Sequence, residues 1–374
     1  PGWSKGDLEA SLKLLRDVER VDLVLMLSEL GAANNIRLAE ANPGIHVVLS
    51  SDMHEKTVKP IVTSTGTLII EEGQDGQQLG ELVLKVKDGR IESWRWAGHA
   101  ITADTPEDRA TAERVKQARK SFLSGPDFVE HVNPFNGSKL RRPLDAVVGS
   151  TTIPLHRSNF SHEDMPAVIE GSAHDFLTDA FRAVAGADIG AIRGFRYGAH
   201  IAPGPITMAD LYHLIPIGPQ IAKGTIKGRQ LKMQIEAAAN GSLDPMVGNW
   251  TGGWLFNFSG VTMDIDVYKG PGLRASNIKV NGAPLDPEAS YTYASYWYAG
   301  DPDFINVVPA TAITVLRDEA GAPLDATEIV VRYLASLPER KATTAINRNR
   351  VLAPLPSGQH GFSDVQPLHG VKQP

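Results

Sequence analysis

The chain has 374 residues, 42% of them hydrophobic and 21% charged, a composition that buries a sizeable core and excludes wholesale disorder or a fibrous repeat. Lys and Arg number 37 against 43 Asp and Glu, a net charge of -6, which offers no footprint for a nucleic acid polymer or an anionic membrane. Cysteine is absent, so disulfides, thiolate metal sites and a cysteine nucleophile are excluded.

At roughly 150 residues per domain this length suggests two domains. The opening Pro1-Gly2-Trp3-Ser4-Lys5 is neither a signal peptide nor a start with Met, so the expectation is an upstream segment removed or a fragment. Residues 7–20 place Leu8, Leu12, Leu15 and Val18 at helical spacing. Residues 21–27 are nearly all apolar, as in a strand buried on both faces. A short helix over 35–41 stops at Asn42-Pro43-Gly44, and 46–49 reads as a second buried strand. Short strands follow at 61–62, 67–71, 79–87 and 90–96, the last two joined by Asp88-Gly89, a hairpin signal.

Residues 106–123 read as a charged helix, and 125–145 as a connecting segment rich in Gly, Pro, Asn and Arg. A second unit opens at Ala146-Val147-Val148-Gly149. It carries helices over 172–184, 208–214, 228–240 and 325–336, with strands at 261–267, 278–280 and 291–298. The tail is taken to begin at 341, and 354–374 reads as extended chain. The fold class is therefore α/β, with α+β character where the antiparallel run begins, in two units, 1–124 and 146–340.

Two strand ends form the first candidate site. The strand at 21–27 runs into Ser28-Glu29-Leu30-Gly31, and that at 46–49 into Ser50-Ser51-Asp52-Met53-His54. Ligands of open α/β sheets gather at the carboxyl ends of strands. Glu29, Asp52 and His54 are candidate ligands of one metal, and carboxylate with imidazole suits Mn, Fe or Zn. The residues alone also allow Asp52 to cap a turn and His54 to be a polar loop residue.

These segments, followed by Gln77-Gln78-Leu79-Gly80, resemble the second half of a metallophosphoesterase domain, an α/β/β/α sandwich. That family ends its first strand in Thr/Ser-His-x-Gly and its second in Gly-His-x-His. Here His54 is kept, while Glu29 and Asp52 stand at histidine positions. The first half of the family's domain carries Asp-x-His, a bridging Asp and Asn-His-Glu/Asp, which supply the first metal and the histidine that protonates the leaving group. This chain has no Asn-His, and its one Asp-x-His, residues 52–54, follows the second-half strand. The resemblance thus implies the C-terminal two thirds of a metal-dependent hydrolase. The complete enzyme would hold two Mn, or Zn, and most of its catalytic set would lie outside this chain.

The second unit resembles the C-terminal domain of 5′-nucleotidases. The matching segments are 147–149, 171–181, Asp188-Ile189-Gly190, Arg193-Gly194-Phe195-Arg196-Tyr197-Gly198, 203–207, 224–231 and 280–293. The resemblance implies that Arg196, and with it Arg193, binds a phosphate or sulfonate, for which a guanidinium fork is suited. In nucleotidases two aromatic rings clamp the base. Here Pro216-Ile217-Gly218-Pro219 lacks the first ring, and Tyr298 stands at the second position. Residues 194–198 and 203–208 look more like the thiosulfohydrolases of the bacterial sulfur-oxidising system, which cleave sulfate from a cysteine-linked carrier arm. The implied partner is a small anionic substrate or such an arm, and the implied compartment is periplasmic or extracellular. A nucleotidase and a non-catalytic binding descendant are the alternatives. Trp250 and Trp254 line a pocket or pack a loop, His174 is expected to be exposed or capping, and His200 and His213 have no assigned partner.

Overall fold

A computed structural model describes residues 5–51, 56–57, 59–73, 76, 78–156, 169–193, 200–216, 218–243, 255–353 and 362–363. The expected helix at the start becomes helix Lys5–Lys13 continued by a π-helical turn, Leu14–Val18. Strands Leu25–Ser28, Val47–Ser50 and Leu68–Glu71 then run parallel, with Ile61–Val62 antiparallel at the edge. Helix Ala32–Ala41 connects the first two strands, as a parallel pair requires. Its fully buried Asn35 accepts from the Ser28 hydroxyl at 2.6 Å and donates to that of Ser50 at 2.8 Å. One amide thus holds the ends of both strands in step.

Strands Gln78–Lys87 and Arg90–Ala100 form a separate two-stranded ribbon. Asp88 at its turn takes φ 48°, the left-handed conformation that a two-residue hairpin demands. Helix Arg109–Arg119 follows, with the Asp108 side chain capping the Thr111 amide.

The second unit is built on a five-stranded mixed sheet in the order Phe256–Ser259, Ile189–Arg193, Ser290–Trp297, Gln220–Lys227, Thr311–Val315. The alternation of its central strands explains why both faces are covered. Ile192, Ile221, Ala294 and Tyr296 pack with helices Ser172–Ala185, Met208–Leu214 and Ala326–Ser336. Ile189, Ala191, Ala222 and Tyr293 pack on the other side with Leu231, Ile235 and Ala239 of helix Gly228–Ser242. Helix Ser172–Ala185 lies so close to the sheet that a Cβ at Gly190 would stand 2.1 Å from the Thr178 carbonyl oxygen. Glycine is the residue that permits this approach. Among the described residues no helix is long and apolar enough to cross a membrane.

Residues 341–351, taken from sequence as the start of the tail, are integral to the second unit. Lys341–Ala342 pairs parallel with Val147–Thr151, and Asn349–Val351 pairs parallel with Val261–Ile265. The cause is Arg348. Its Nη2 donates to both oxygens of Asp179 at 2.8 Å, and its Nη1 donates to the Phe258 carbonyl at 2.7 Å and the Thr178 hydroxyl at 2.8 Å. The Glu170 carboxylate accepts from the Arg348 and Asn349 amides. Further on, Phe362–Ser363 pairs antiparallel with Lys56–Thr57 of the first unit.

Candidate functional site

The carboxyl ends of the first sheet's strands place Glu29 directly after Leu25–Ser28, exposed to solvent. The Ser51 amide donates to the Ser28 carbonyl at 2.9 Å, so the chain leaves the second strand beside Glu29. Asp52 and His54 lie outside the described residues. Among the described residues no group of three or more His, Cys, Asp or Glu side chains is placed to hold a metal ion.

The second unit gathers its candidate residues by register. Ile189 and Gly190 pair parallel with Tyr293 and Ala294, and continuing that register brings Arg193 level with Trp297. Arg193 ends its strand exposed, and Tyr298 follows Trp297 with its surface 50% exposed. Gln220 pairs with Trp297 across the antiparallel neighbour. Arg193, Gln220 and Trp297 therefore lie at one end of the sheet. Arg196, Ile217, Trp250 and Trp254 lie outside the described residues.

The connecting segment is strapped to this end. Asn136 Nδ2 donates to the Gly218 carbonyl at 2.6 Å, Gln220 Nε2 donates to the Asn136 carbonyl at 2.9 Å, and the Ser138 hydroxyl donates to Asp325 at 2.9 Å. Asp325 also caps helix Ala326–Ser336 through the Glu328 amide, and burial raises its carboxyl pKa. From the sequence alone this strap reads only as a connecting segment. The Asn-Pro start and Asn-Gly finish of residues 133–137 are turn signals that mark its geometry but not its docking partner.

His174 is fully buried rather than exposed, because it falls on the inward side of an amphipathic helix whose neighbours Ala173, Phe176 and Leu177 are core. His213 is exposed. The His200 ring stacks on buried His156 with centroids 4.0 Å apart. The backbones beside them are joined by Leu155 and Ile201, which exchange hydrogen bonds of 2.9 and 3.1 Å. Asp175, also fully buried, has its carboxyl pKa raised well above the usual range by burial, partly countered by the nearby Arg348 charge.

This is a mixed α/β protein whose second unit presents an arginine and an aromatic ring from adjacent strand ends. Residues 147–306 match the family described as the 5′-nucleotidase, C-terminal domain, and this part of the chain is such a domain. Protein UshA of Yersinia enterocolitica is 25% identical over 280 residues, covering 70% of this chain and 47% of its own length. The chain thus spans about half of that relative. The sulfate thiohydrolase SoxB of Thermus thermophilus superimposes with a TM-score of 0.71 at 19% identity, over 97% of this chain and 60% of its own. A 5′-nucleotidase precursor from the same species does so with 0.69 at 17% identity, over 93% and 67%.

Proposed function

We propose that the chain supplies the substrate-binding part of a metal-dependent hydrolase that removes a terminal oxyanion group from a small molecule or carrier arm. The observation that carries this reading is the shared sheet end of Arg193 and Tyr298. In it, Arg193, with Arg196 three residues on, pairs with the phosphate or sulfonate through the guanidinium fork. Tyr298 packs against the uncharged remainder of the substrate. Glu29, Asp52 and His54 would face that group from the first sheet and contribute to a metal centre, proposed as Mn or Zn. The described residues do not by themselves assemble such a centre. A periplasmic or extracellular setting belongs to the same proposal.

Two substrates fit. Release of sulfate from a thiol-linked carrier is the first, supported by residues 194–198 and 203–208 and by the missing ring at Ile217. A nucleotide phosphomonoester is the second, favoured by the half-exposed ring of Tyr298. Titration calorimetry of the chain with inorganic phosphate, thiosulfate, S-sulfocysteine and AMP tests the common part. Arg193→Ala and Arg196→Lys should each weaken every anion by about tenfold, the scale of a lost charged hydrogen bond. Unchanged binding in both variants would overturn the anion site.

A further inference from the structure

We propose that a cleft at the far end of the second unit's sheet, walled by Arg182, Asn281 and Thr262, binds the carboxylate of a small hydroxyl-bearing organic acid. The cleft has a volume of about 520 Å³, within the range of small-molecule sites. It lies where strand Phe256–Ser259 turns at Gly260 into strand Val261–Ile265. Gly190 pairs with Ser259 and Arg193 with Phe256. The cleft therefore sits at the start of the strand that ends in Arg193, away from the end that carries Arg193 and Tyr298.

Arg182 stands in the last turn of helix Ser172–Ala185. Its Nε donates to the Asp188 carbonyl at 3.0 Å and its Nη2 to Asn281 Oδ1 at 2.6 Å. The guanidinium lies against Gly260, where a Cβ would stand 3.0 Å from Arg182 Nε and 2.3 Å from the Asp188 carbonyl oxygen. Gly260 takes φ 84°, so glycine both makes the turn and leaves room for the fork. The two acceptors are neutral. They orient the guanidinium without neutralising it, and among the described residues no carboxylate pairs with Arg182. The carbonyls at the end of its own helix offset the charge only in part, since a helix terminus carries about half an elementary charge.

The neighbouring acids are held elsewhere. Asp179 accepts from Arg348 on both oxygens and from the Ser259 hydroxyl at 2.6 Å. The Asp188 carboxylate accepts from the Thr292 amide and hydroxyl. Lys279 stands directly opposite Thr262 in its strand pair, which puts a second cation on the same face. An anion from outside the chain fits this place, and a planar carboxylate matches the fork. A phosphate dianion matches less well, because the Asp179 side chain is 24% exposed and would repel a second negative charge. Exposed Thr262 and Asn347 offer a hydroxyl and an amide to the remainder of the ligand, which favours a hydroxy acid over an aliphatic one.

The experiment titrates the 374-residue chain with gluconate, acetate, sorbitol and inorganic phosphate, and follows the backbone amides of Gly260 and Gly282 by NMR. Gluconate should shift both amides and saturate. Acetate should do so more weakly, and sorbitol, which has the hydroxyls without the charge, should not. Arg182→Lys should weaken gluconate by about tenfold or more, the scale of a lost charged hydrogen bond. Arg182 also ties Asp188 to Asn281, so a second variant leaves those bonds intact. Thr262→Glu places a carboxylate in the cleft and should weaken gluconate by a similar factor with the thermal midpoint little changed. Arg193→Ala should leave the gluconate shifts as they are, and their loss in that variant would overturn the separateness of the two sites. Gluconate that moves neither amide, or sorbitol that moves them equally, overturns the site. Gluconate binding unchanged in both Arg182→Lys and Thr262→Glu overturns the role of Arg182. Phosphate that moves the same amides at lower concentration than gluconate overturns the choice of a carboxylate.

Discussion

Replacing Arg348 with alanine should cost this protein about 3–5 kcal/mol, because it breaks a buried ion pair and leaves the partner charges behind. The side chain is 13% exposed, against 0% for Asp175 and 24% for Asp179. Its loss strands Asp175 and Asp179 and removes donors from the Phe258 carbonyl and the Thr178 hydroxyl. Each buried acceptor left unsatisfied costs about 1–3 kcal/mol, and the four are too close to add independently. The cost should also depend on pH. Asp175 already holds its proton more tightly than an ordinary carboxyl, and removing a cation tightens it further. The stranded charge can then be neutralised in acid but less readily in base. Urea unfolding of Arg348→Ala should show the full loss near pH 8 and a smaller one near pH 5. Arg348→Lys should recover part of it, since an ammonium restores charge but not the spread of donors. A loss below about 1 kcal/mol at pH 8 would refute this account and return residues 341–351 to the status of a surface tail.

Asp175→Asn isolates the same carboxyl: its folded pKa lies above the unfolded value of 3.8, so its contribution is present below that value and is lost as pH rises through the folded pKa. The stability of Asp175→Asn relative to wild type should therefore rise with pH across that window, and a flat difference in urea titrations would contradict the shift. Val307 takes φ 62° in the tight turn between Phe304–Ile305 and Val308–Pro309, which is unfavourable for a β-branched residue. Val307→Gly should gain about 0.5–1 kcal/mol, the strain of roughly 1–2 relieved less the added entropy of glycine, and a lowered thermal midpoint would show that the side chain contributes more than its strain. The purified chain should bind Mn²⁺ or Zn²⁺ only weakly, since the three proposed ligands Glu29, Asp52 and His54 would leave the remaining coordination to water. Two tight sites by calorimetry would mean that Glu29, Asp52 and His54 have further partners within the chain.

Some elements are decided within a single segment, and these the sequence shows. Helix Met208–Leu214 begins where Thr207 and Asp210 form a capping box, a signal that lies within four residues. The ribbon turned at Asp88-Gly89 for the same local reason. Residues 341–351 failed because their burial depends on charge pairing. Arg348 and Asn349 reach carboxylates about 170 to 180 positions earlier, and no periodicity in an Arg- and Asn-rich stretch reports that distance. His174 failed for a related reason: one polar residue on an otherwise apolar face does not reveal which way it points.

The candidate site shows the same division between residue type and register. Arg193, Tyr298 and Glu29 could be nominated from residue type and neighbouring motif, yet nothing local says which of them share an end of a sheet. That follows from pairings such as Gln220 with Trp297 and Ile189 with Tyr293, each linking residues some 75 to 105 positions apart. A shift of one residue in either pairing would turn alternate side chains to the opposite face. It would move Tyr296 out of the core it shares with Phe181, whose ring it meets edge-on at 5.7 Å. The register is therefore set by core packing rather than by the site. Arg193 and Tyr298 are brought to one sheet end by core side chains, and the strap of residues 133–138 is held to the same end by Gln220 and Asp325. Substitutions should accordingly be tolerated by the fold at Arg193 and Tyr298, where the surface is exposed. They should not be tolerated at Tyr296 or Asp325, where the same loops are anchored.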